Sequence, residues 1–104
     1  MPIEEPKYKF TRAIVAGAPE GSGIYALWDG DELIYIGRAN GTEAGHTIRE
    51  ALLRHLEKGY CPCTTSASHY SWELSLRPAT RELEVLRAFE ARYRRLPRCN
   101  EDAA

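Results

Sequence analysis

The sequence predicts a mixed α/β fold, with a small, mainly antiparallel sheet of three strands flanked by helices. Three observations support this prediction: two β-rich runs separated by a turn signal, two stretches with helical periodicity, and one further alternating run between those stretches. The chain has 104 residues, which is enough for one hydrophobic core and too few for two. We therefore expect a single domain.

The first two strands are predicted to form a hairpin. They cover Gly23–Trp28 and Glu32–Gly37, and the segment Asp29–Asp31 between them contains an aspartate-glycine pair. Such a pair is typical of tight hairpin turns, because glycine adopts the backbone angles that these turns require. The preceding residues are rich in proline and glycine and predict an arm with at most one helical turn after Thr11. We therefore expect an N-terminal arm at residues 1–22, the domain at 23–100 and a tail at 101–104.

The first helix is predicted to begin at Ile48. Thr47 precedes it as an N-cap, and Glu50 lies three residues later, where a capping box has its acidic residue. Apolar residues then recur every three to four positions and form one buried stripe, until Gly59 ends the helix. This stripe consists of Ile48, Leu52, Leu53 and Leu56.

The third strand and the second helix are predicted in the C-terminal half. The run Ser71–Leu76 alternates well enough to indicate a strand. Pro78 suits the first turn of a helix and predicts one over Ala79–Arg94. The residues expected on the buried face of that helix are Leu83, Leu86, Phe89 and Tyr93.

Charge and hydropathy exclude several classes of protein. The formal net charge is -1, so the chain as a whole attracts neither nucleic acid nor an acidic membrane. The longest uncharged apolar stretches, Ala13–Pro19 and Gly23–Trp28, are far shorter than the ~20 residues that a membrane helix needs. The N-terminus lacks the pattern of a secretory signal, and we expect a cytoplasmic protein without a membrane partner.

The cysteines are predicted to be free thiols. Cys61, Cys63 and Cys99 are an odd number in a chain without a secretory signal, which argues against a disulfide framework. Together with His69 they could supply four zinc ligands. A single residue between Cys61 and Cys63 is not the usual spacing of a zinc knuckle, so this metal is disfavoured.

Arginine is concentrated near the C-terminus. Residues 81–98 contain six arginines and three glutamates. Such a run is compatible with a solvated helix face and also with a surface that contacts phosphates.

Two tripeptides flank the predicted turn: Gly23-Ile24-Tyr25 on the first strand and Tyr35-Ile36-Gly37 on the second. Their tyrosines are ten residues apart, and the predicted order of elements is hairpin, helix, strand, helix. In these features the chain resembles the GIY-YIG nuclease superfamily from about Gly23 to Asn100. Further segments are similar to one small stand-alone branch of it: Thr47–Arg49, His55-Leu56, Ser68–Tyr70 and Leu96–Asn100.

The resemblance implies a metal-dependent DNA endonuclease. In such enzymes water attacks a phosphodiester in line, helped by one Mg²⁺ or Mn²⁺ ion, a tyrosine that takes the water's proton, an arginine on the phosphate and a glutamate on the metal. Tyr25 and Tyr35 have the same parity relative to their glycines, so we expect both hydroxyls in one pocket at the exposed face of the hairpin. His55 would donate to a phosphate or assist proton transfer, unless it is an ordinary surface residue of the helix. The implied partner is DNA, with branched and damaged forms among the candidates.

One position departs from the family pattern. The family's catalytic arginine lies four residues before the position of His55, and here that residue is Ala51. Around the helix, Arg54 lies about 60° from position 51 and Arg49 about 160°, so Arg54 is the better substitute. Arg38 is a further candidate, because it directly follows the second tripeptide. Ala51 therefore predicts weak or absent cleavage. The alternative is a nucleic-acid-binding module of the same fold without turnover, and a protein-interaction domain is disfavoured.

The resemblance places the metal-binding glutamate on the last helix, upstream of the ending Pro97–Asn100. Glu82 is the first candidate, because apolar residues follow it three and four positions later as in the family, and Glu84 is the second. Asn100 is expected to tie the chain end to the site. Contacts with nucleic acid are assigned to Arg38, Arg92, Arg95 and Asn100.

Overall fold

The structure, a computed structural model, describes residues 6–41, 46–57 and 59–103. In chain order the elements are strand β1 (Tyr8–Lys9), helix α1 (Arg12–Val15), strands β2 (Gly23–Asp29) and β3 (Glu32–Ala39), helix α2 (Ile48–Leu56), a 3-10 turn (Pro62–Ser66), strand β4 (His69–Leu74) and helices α3 (Pro78–Tyr93) and α4 (Arg98–Ala103). The fold is mixed α/β, as predicted. No helix in the described ranges is long and apolar enough to cross a membrane.

The sheet has four antiparallel strands in the order β1-β4-β2-β3, so the predicted count of three strands was wrong. The additional strand is β1, in which Tyr8 pairs with Tyr70 and Lys9 with His69. A strand of two residues has no periodicity that a sequence can reveal, and it forms by covering the otherwise free edge of β4. The chain after it also joins the core, since Val15 is buried.

The sheet separates two apolar clusters. On one face, α1 and α2 pack against the sheet through Val15 and Leu52. On the other face, α3 packs through Val85 and Phe89. Successive residues of β2 alternate between the clusters: Tyr25 and Leu27 point to α2, whereas Ile24, Ala26 and Trp28 point to α3.

The helix start at Ile48 is confirmed, because the Thr47 hydroxyl accepts a hydrogen bond from the Glu50 backbone N–H. The helix ends at Leu56, before Gly59, which has a φ of +84°. Strand β4 begins two residues earlier than the predicted third strand and ends before Leu76. Leu76 is 99% exposed, so its alternation with the preceding residues does not reflect burial.

The buried face of α3 differs from the predicted one. Val85 and Phe89 are buried and Leu86 is half-buried, whereas Leu83 and Tyr93 are 48% and 45% exposed. Leu83 lies about 160° from Val85 around the helix, so both cannot face the sheet. Tyr93 is the last residue of the helix, where Arg94 has a left-handed φ of 62° and turns the chain away.

The prediction of three free thiols was wrong, because Cys63 and Cys99 form a disulfide and Cys61 alone is free. The bond joins the 3-10 turn to α4, two elements that are far apart in sequence and adjacent in space. Counting cysteines could not detect this proximity. The disulfide also removes two of the four thiol and imidazole ligands that a zinc site at Cys61, Cys63, His69 and Cys99 would need.

Candidate active site

A β-bulge in β3 decides where Tyr35 points. Next to the turn, Trp28 of β2 pairs with Leu33 of β3. One residue farther from the turn, Leu27 pairs with Tyr35. Ile34 is therefore an extra residue with no partner on β2. Neighbouring side chains of a strand point to opposite faces of the sheet. One extra residue therefore moves the side chain of every later residue of β3 to the face opposite the one it would have in a regular register.

The bulge brings the two phenols to one face. Tyr25 lies opposite Gly37, and Tyr35 is on the same side of the sheet with a ring-centroid distance of 6.1 Å. In the unbulged register Tyr25 would oppose Ile36, and Tyr35 would oppose Ala26 and face α3. The expectation that both phenols lie on one side of the sheet is confirmed. The expectation that this side is the exposed face of the hairpin was wrong, because α2 covers it and Tyr25 is 4% exposed.

Gly37 leaves room for the ring of Tyr25. A Cβ atom at position 37 would lie 2.5 Å from both Cζ and Oη of Tyr25 and 2.9 Å from Cε2 of Tyr35. Real Cβ atoms do not approach other atoms this closely, so a side chain here would displace the phenols. Gly23 is required for another reason, since its Cβ would lie 2.1 Å from the Glu73 carbonyl oxygen of the neighbouring strand.

His55 joins the phenols to the 3-10 turn. Its Nε2 is 3.1 Å from Tyr25 Oη, and its Nδ1 is 3.0 Å from Thr64 Oγ1. The imidazole also packs 5.0 Å from the ring of Tyr35 and 5.1 Å from that of Tyr60. His55 is buried, so its interpretation as an ordinary surface residue of the helix was wrong.

Burial sets the protonation of this cluster. It lowers the pKa of His55 to about 4, with a further contribution from the Arg54 guanidinium, so the imidazole is neutral at pH 7. Burial likewise raises the pKa of Tyr25 well above its usual value, and the neighbouring Tyr35 adds to this effect. The pKa of Tyr35 is raised by burial and by the charge of Glu82. Both phenols are therefore protonated in the absence of an added cation.

Glu82 is the carboxylate whose charge acts on the phenols, since it raises the pKa of both Tyr25 and Tyr35. It projects from α3, its side chain is 21% exposed, and Oε1 is 3.3 Å from Nη1 of Arg38. Burial raises the pKa of Glu82, and Arg38 opposes the rise. Glu84 is 61% exposed and lies 3.8 Å from Arg81, so it points away from this cluster. Of the two metal candidates, the geometry therefore favours Glu82.

The donor set suits Mg²⁺ only together with a substrate. Within the described ranges no three His, Cys, Asp or Glu side chains lie close enough to hold a metal ion. Mg²⁺ commonly binds one or two carboxylates and completes its shell with water and substrate phosphates. Glu82 fits this limited role.

A small cavity lies beside Ala51. Its volume is about 110 Å³, and the residues that line it are Arg38, Ala39, Asn40, His46, Ala51 and Arg54. Ala51 also belongs to the core cluster and is 7% exposed. Arg38 and Arg54 thus border the space next to position 51. Arg49 lies elsewhere, since it forms an ion pair with Glu20 and donates to the Ala18 carbonyl oxygen at 2.8 Å.

Asn100 ties the chain end to β3, as expected. Its Oδ1 accepts from the Ile36 backbone N–H and its Nδ2 donates to the Ile36 carbonyl oxygen, both at 2.9 Å. Because β3 is an edge strand, these backbone groups have no partner strand. Both the oxygen and the nitrogen of the amide take part in this support.

Arg92 and Arg95 are on the other side of the sheet from the phenols. Their guanidinium groups lie 5.4 Å and 5.5 Å from the ring centroids of Tyr93 and Phe89. Both line a cavity of about 330 Å³ between α3 and the hairpin end that carries Trp28. The structure does not bring these two predicted nucleic-acid contacts to the candidate active site.

Sequence reasoning missed two residues of the site, Thr64 and Tyr60. Both lie between α2 and β4, in a segment for which the sequence predicts no helix or strand. Pro62 at the start of the 3-10 turn is a local signal for that turn. No local signal indicates that Thr64 contacts His55.

The chain matches no protein-family model, no curated protein and no solved structure. The geometry of the site is accordingly the basis on which a function is assigned to it.

Proposed function

We propose that the chain is a GIY-YIG-type domain that binds DNA and hydrolyses its phosphodiester bonds with Mg²⁺ or Mn²⁺. The observation that supports this most is the convergence of Tyr25, Tyr35 and His55 on one sheet face, with ring centroids 5.0–6.1 Å apart. A hairpin of ordinary packing aromatics does not need a bulge, a glycine under the ring and a buried neutral imidazole together. Glu82 of α3 and Arg38 of β3 add an ion pair of opposite charges next to strand β3.

Each residue of the site has a separate role in the proposed hydrolysis of the phosphodiester. Arg38 and Arg54 border a space the size of a phosphate group, where paired guanidinium donors match phosphate oxygens. Glu82 would hold a divalent ion, which supplies positive charge to the phosphate oxygens when it is bound. Tyr25 is protonated and so cannot act as a free phenolate. It accepts a proton from water only while passing its own proton to the neutral imidazole of His55.

Ala51 favours a second candidate function, a DNA-binding domain with little or no turnover. Removing an arginine that stabilises a phosphoryl transition state costs roughly 10³- to 10⁵-fold in rate in a related role. Arg38 is engaged with Glu82, so it replaces the missing guanidinium only after that pair separates. The two candidate functions share the binding of DNA and differ in cleavage.

The test is an assay of binding and cleavage on supercoiled plasmid and branched DNA, in Mg²⁺, Mn²⁺ and EDTA. We expect weak binding that falls with salt, and slow or no cleavage by the natural chain. Ala51→Arg should raise cleavage, while the matched Ala51→Gln variant, which adds bulk without charge, should not. Circular dichroism shows whether each variant folds.

Three outcomes separate the possibilities. Absence of DNA binding at low salt in both the natural chain and Ala51→Arg would reject the proposal. Binding without cleavage by Ala51→Arg would favour the second candidate. Robust cleavage by the natural chain, abolished by Arg54→Ala or Arg38→Ala, would show that one of these arginines has taken over the role.

A further inference from the structure

We propose that Thr64 is a positioning residue that holds His55 in the Nδ1–H tautomer and so makes Nε2 the acceptor for the hydroxyl proton of Tyr25. The assignment of the tautomer rests on three distances between buried atoms. Its consequence for proton transfer rests on the proposed function.

The first step concerns the hydroxyl of Thr64. Its Oγ1 is 3.0 Å from the carbonyl oxygen of Cys61 and 3.0 Å from Nδ1 of His55. The hydroxyl has one proton, and a carbonyl oxygen can only accept. If that proton pointed to Nδ1, two oxygen atoms would face each other at 3.0 Å with no hydrogen between them. Both contacts are hydrogen bonds only when the hydroxyl donates to Cys61 and Nδ1–H donates to the hydroxyl.

The second step concerns the other nitrogen of the ring. A neutral imidazole carries one N–H, so a proton on Nδ1 leaves Nε2 with a free lone pair. Nε2 is 3.1 Å from Oη of Tyr25, which must therefore be the donor in that pair. Burial favours the neutral ring, because it lowers the pKa of His55 to about 4.

The third step concerns the rigidity of Thr64. It is 1% exposed, so water does not readily replace its hydroxyl. Its backbone N–H also donates to the Cys61 carbonyl oxygen at 3.0 Å, within the 3-10 turn that begins at Pro62. The preceding residue, Cys63, is bonded to Cys99 of α4. Turning the side chain away from His55 would break its hydrogen bond to the Cys61 carbonyl oxygen.

The tautomer sets the direction in which protons move. A water proton passes to Oη of Tyr25 as the phenol's own proton passes to Nε2 of His55, which becomes an imidazolium that still donates from Nδ1 to Thr64. The hydroxide forms a bond to phosphorus, the ester bond breaks, and the departing oxygen takes its proton from solvent. The imidazolium then releases its extra proton to solvent through Tyr25, which restores the neutral ring. In the Nε2–H tautomer the ring would donate to Tyr25, and the phenol would have no acceptor in His55.

The direct test is ¹⁵N NMR of the imidazole nitrogens, with the His55 signals assigned by their loss in His55→Gln. We expect the Nδ1–H tautomer in the natural chain and in Thr64→Ser, which keeps the hydroxyl. Thr64→Val, which has the same shape without the hydroxyl, should shift the ring towards Nε2–H. An Nε2–H ring in the natural chain would overturn the inference even if no variant folds, as would an unchanged tautomer in Thr64→Val.

The second test measures cleavage in the Ala51→Arg background. Thr64→Val should lower the cleavage rate on the order of a hundredfold with DNA affinity unchanged, because Nε2 of His55 would no longer accept the proton of Tyr25. Thr64→Ser should keep the rate within about threefold. Full activity of Thr64→Val would reject the role in proton transfer. Failure of every variant to bind DNA would reject the proposed function and leave the tautomer to be decided by NMR.

Discussion

Removing the disulfide between Cys63 and Cys99 should destabilise the domain substantially. The perturbation is the double substitution Cys63→Ser with Cys99→Ser, or reduction of the natural chain. The bond joins residues 36 positions apart and connects the 3-10 turn to α4. Its two neighbours in sequence, Thr64 and Asn100, support His55 and β3.

The magnitude follows from the length of the closed loop. For 36 residues the loss of entropy in the unfolded chain is about 13 cal/mol/K, which corresponds to about 4 kcal/mol at 25 °C. Domains of this size unfold with about 5–15 kcal/mol, so the double variant should retain a much reduced margin. A serine at each position is nearly the same size as the thiol, and few packing contacts are lost with the bond.

The assay is urea unfolding followed by circular dichroism, with and without a thiol reductant. Cys61→Ser is the matched control, because Cys61 is the free thiol of the same turn and should not respond. Thiol titration of the folded, unreduced chain should detect one reactive cysteine. Three reactive thiols, or equal unfolding midpoints with and without reductant, would refute this reasoning.

Three further predictions concern the candidate site. Gly37→Ala should cost about 1–3 kcal/mol in urea unfolding and abolish cleavage in the Ala51→Arg background, because the new Cβ overlaps Tyr25; an unchanged midpoint would contradict the close approach. The folded pKa of His55 lies below its unfolded value near 6.5, so its stabilising contribution is complete above that pH and is lost as the pH falls towards 4. The loss reaches about 3 kcal/mol and should be absent in His55→Gln, as unfolding at several pH values would measure. In the Ala51→Arg background, Glu82→Gln should remove cleavage that depends on Mg²⁺ while the matched Glu84→Gln retains it, and equal losses in both variants would show that the metal ligand is wrongly assigned.

The sequence by itself determined the elements whose signals are local. The hairpin turn follows from Asp29-Gly30, where Gly30 has a φ of +62°, and the helix start follows from the N-cap Thr47. These features depend on backbone preferences and hydrogen bonds within a few residues, so they can be predicted from neighbouring letters. The proximity of the Tyr25 and Tyr35 rings on one face of the sheet was also predicted, from the two tripeptides.

Only the tertiary structure decided how those elements meet. The bulge at Ile34 depends on which side chains fit between α2 and the sheet. It moves the side chain of Tyr35 to the other face of the sheet, and no turn residue marks it in the sequence. The contact of Thr64 with His55 and the disulfide to Cys99 join residues whose proximity is set by packing of the whole chain. Long-range contacts of this kind depend on how all residues of both apolar clusters pack together. A short stretch of sequence holds only a few of those residues. This is why the tyrosines could be found from the sequence, whereas the residue that orients their histidine could not.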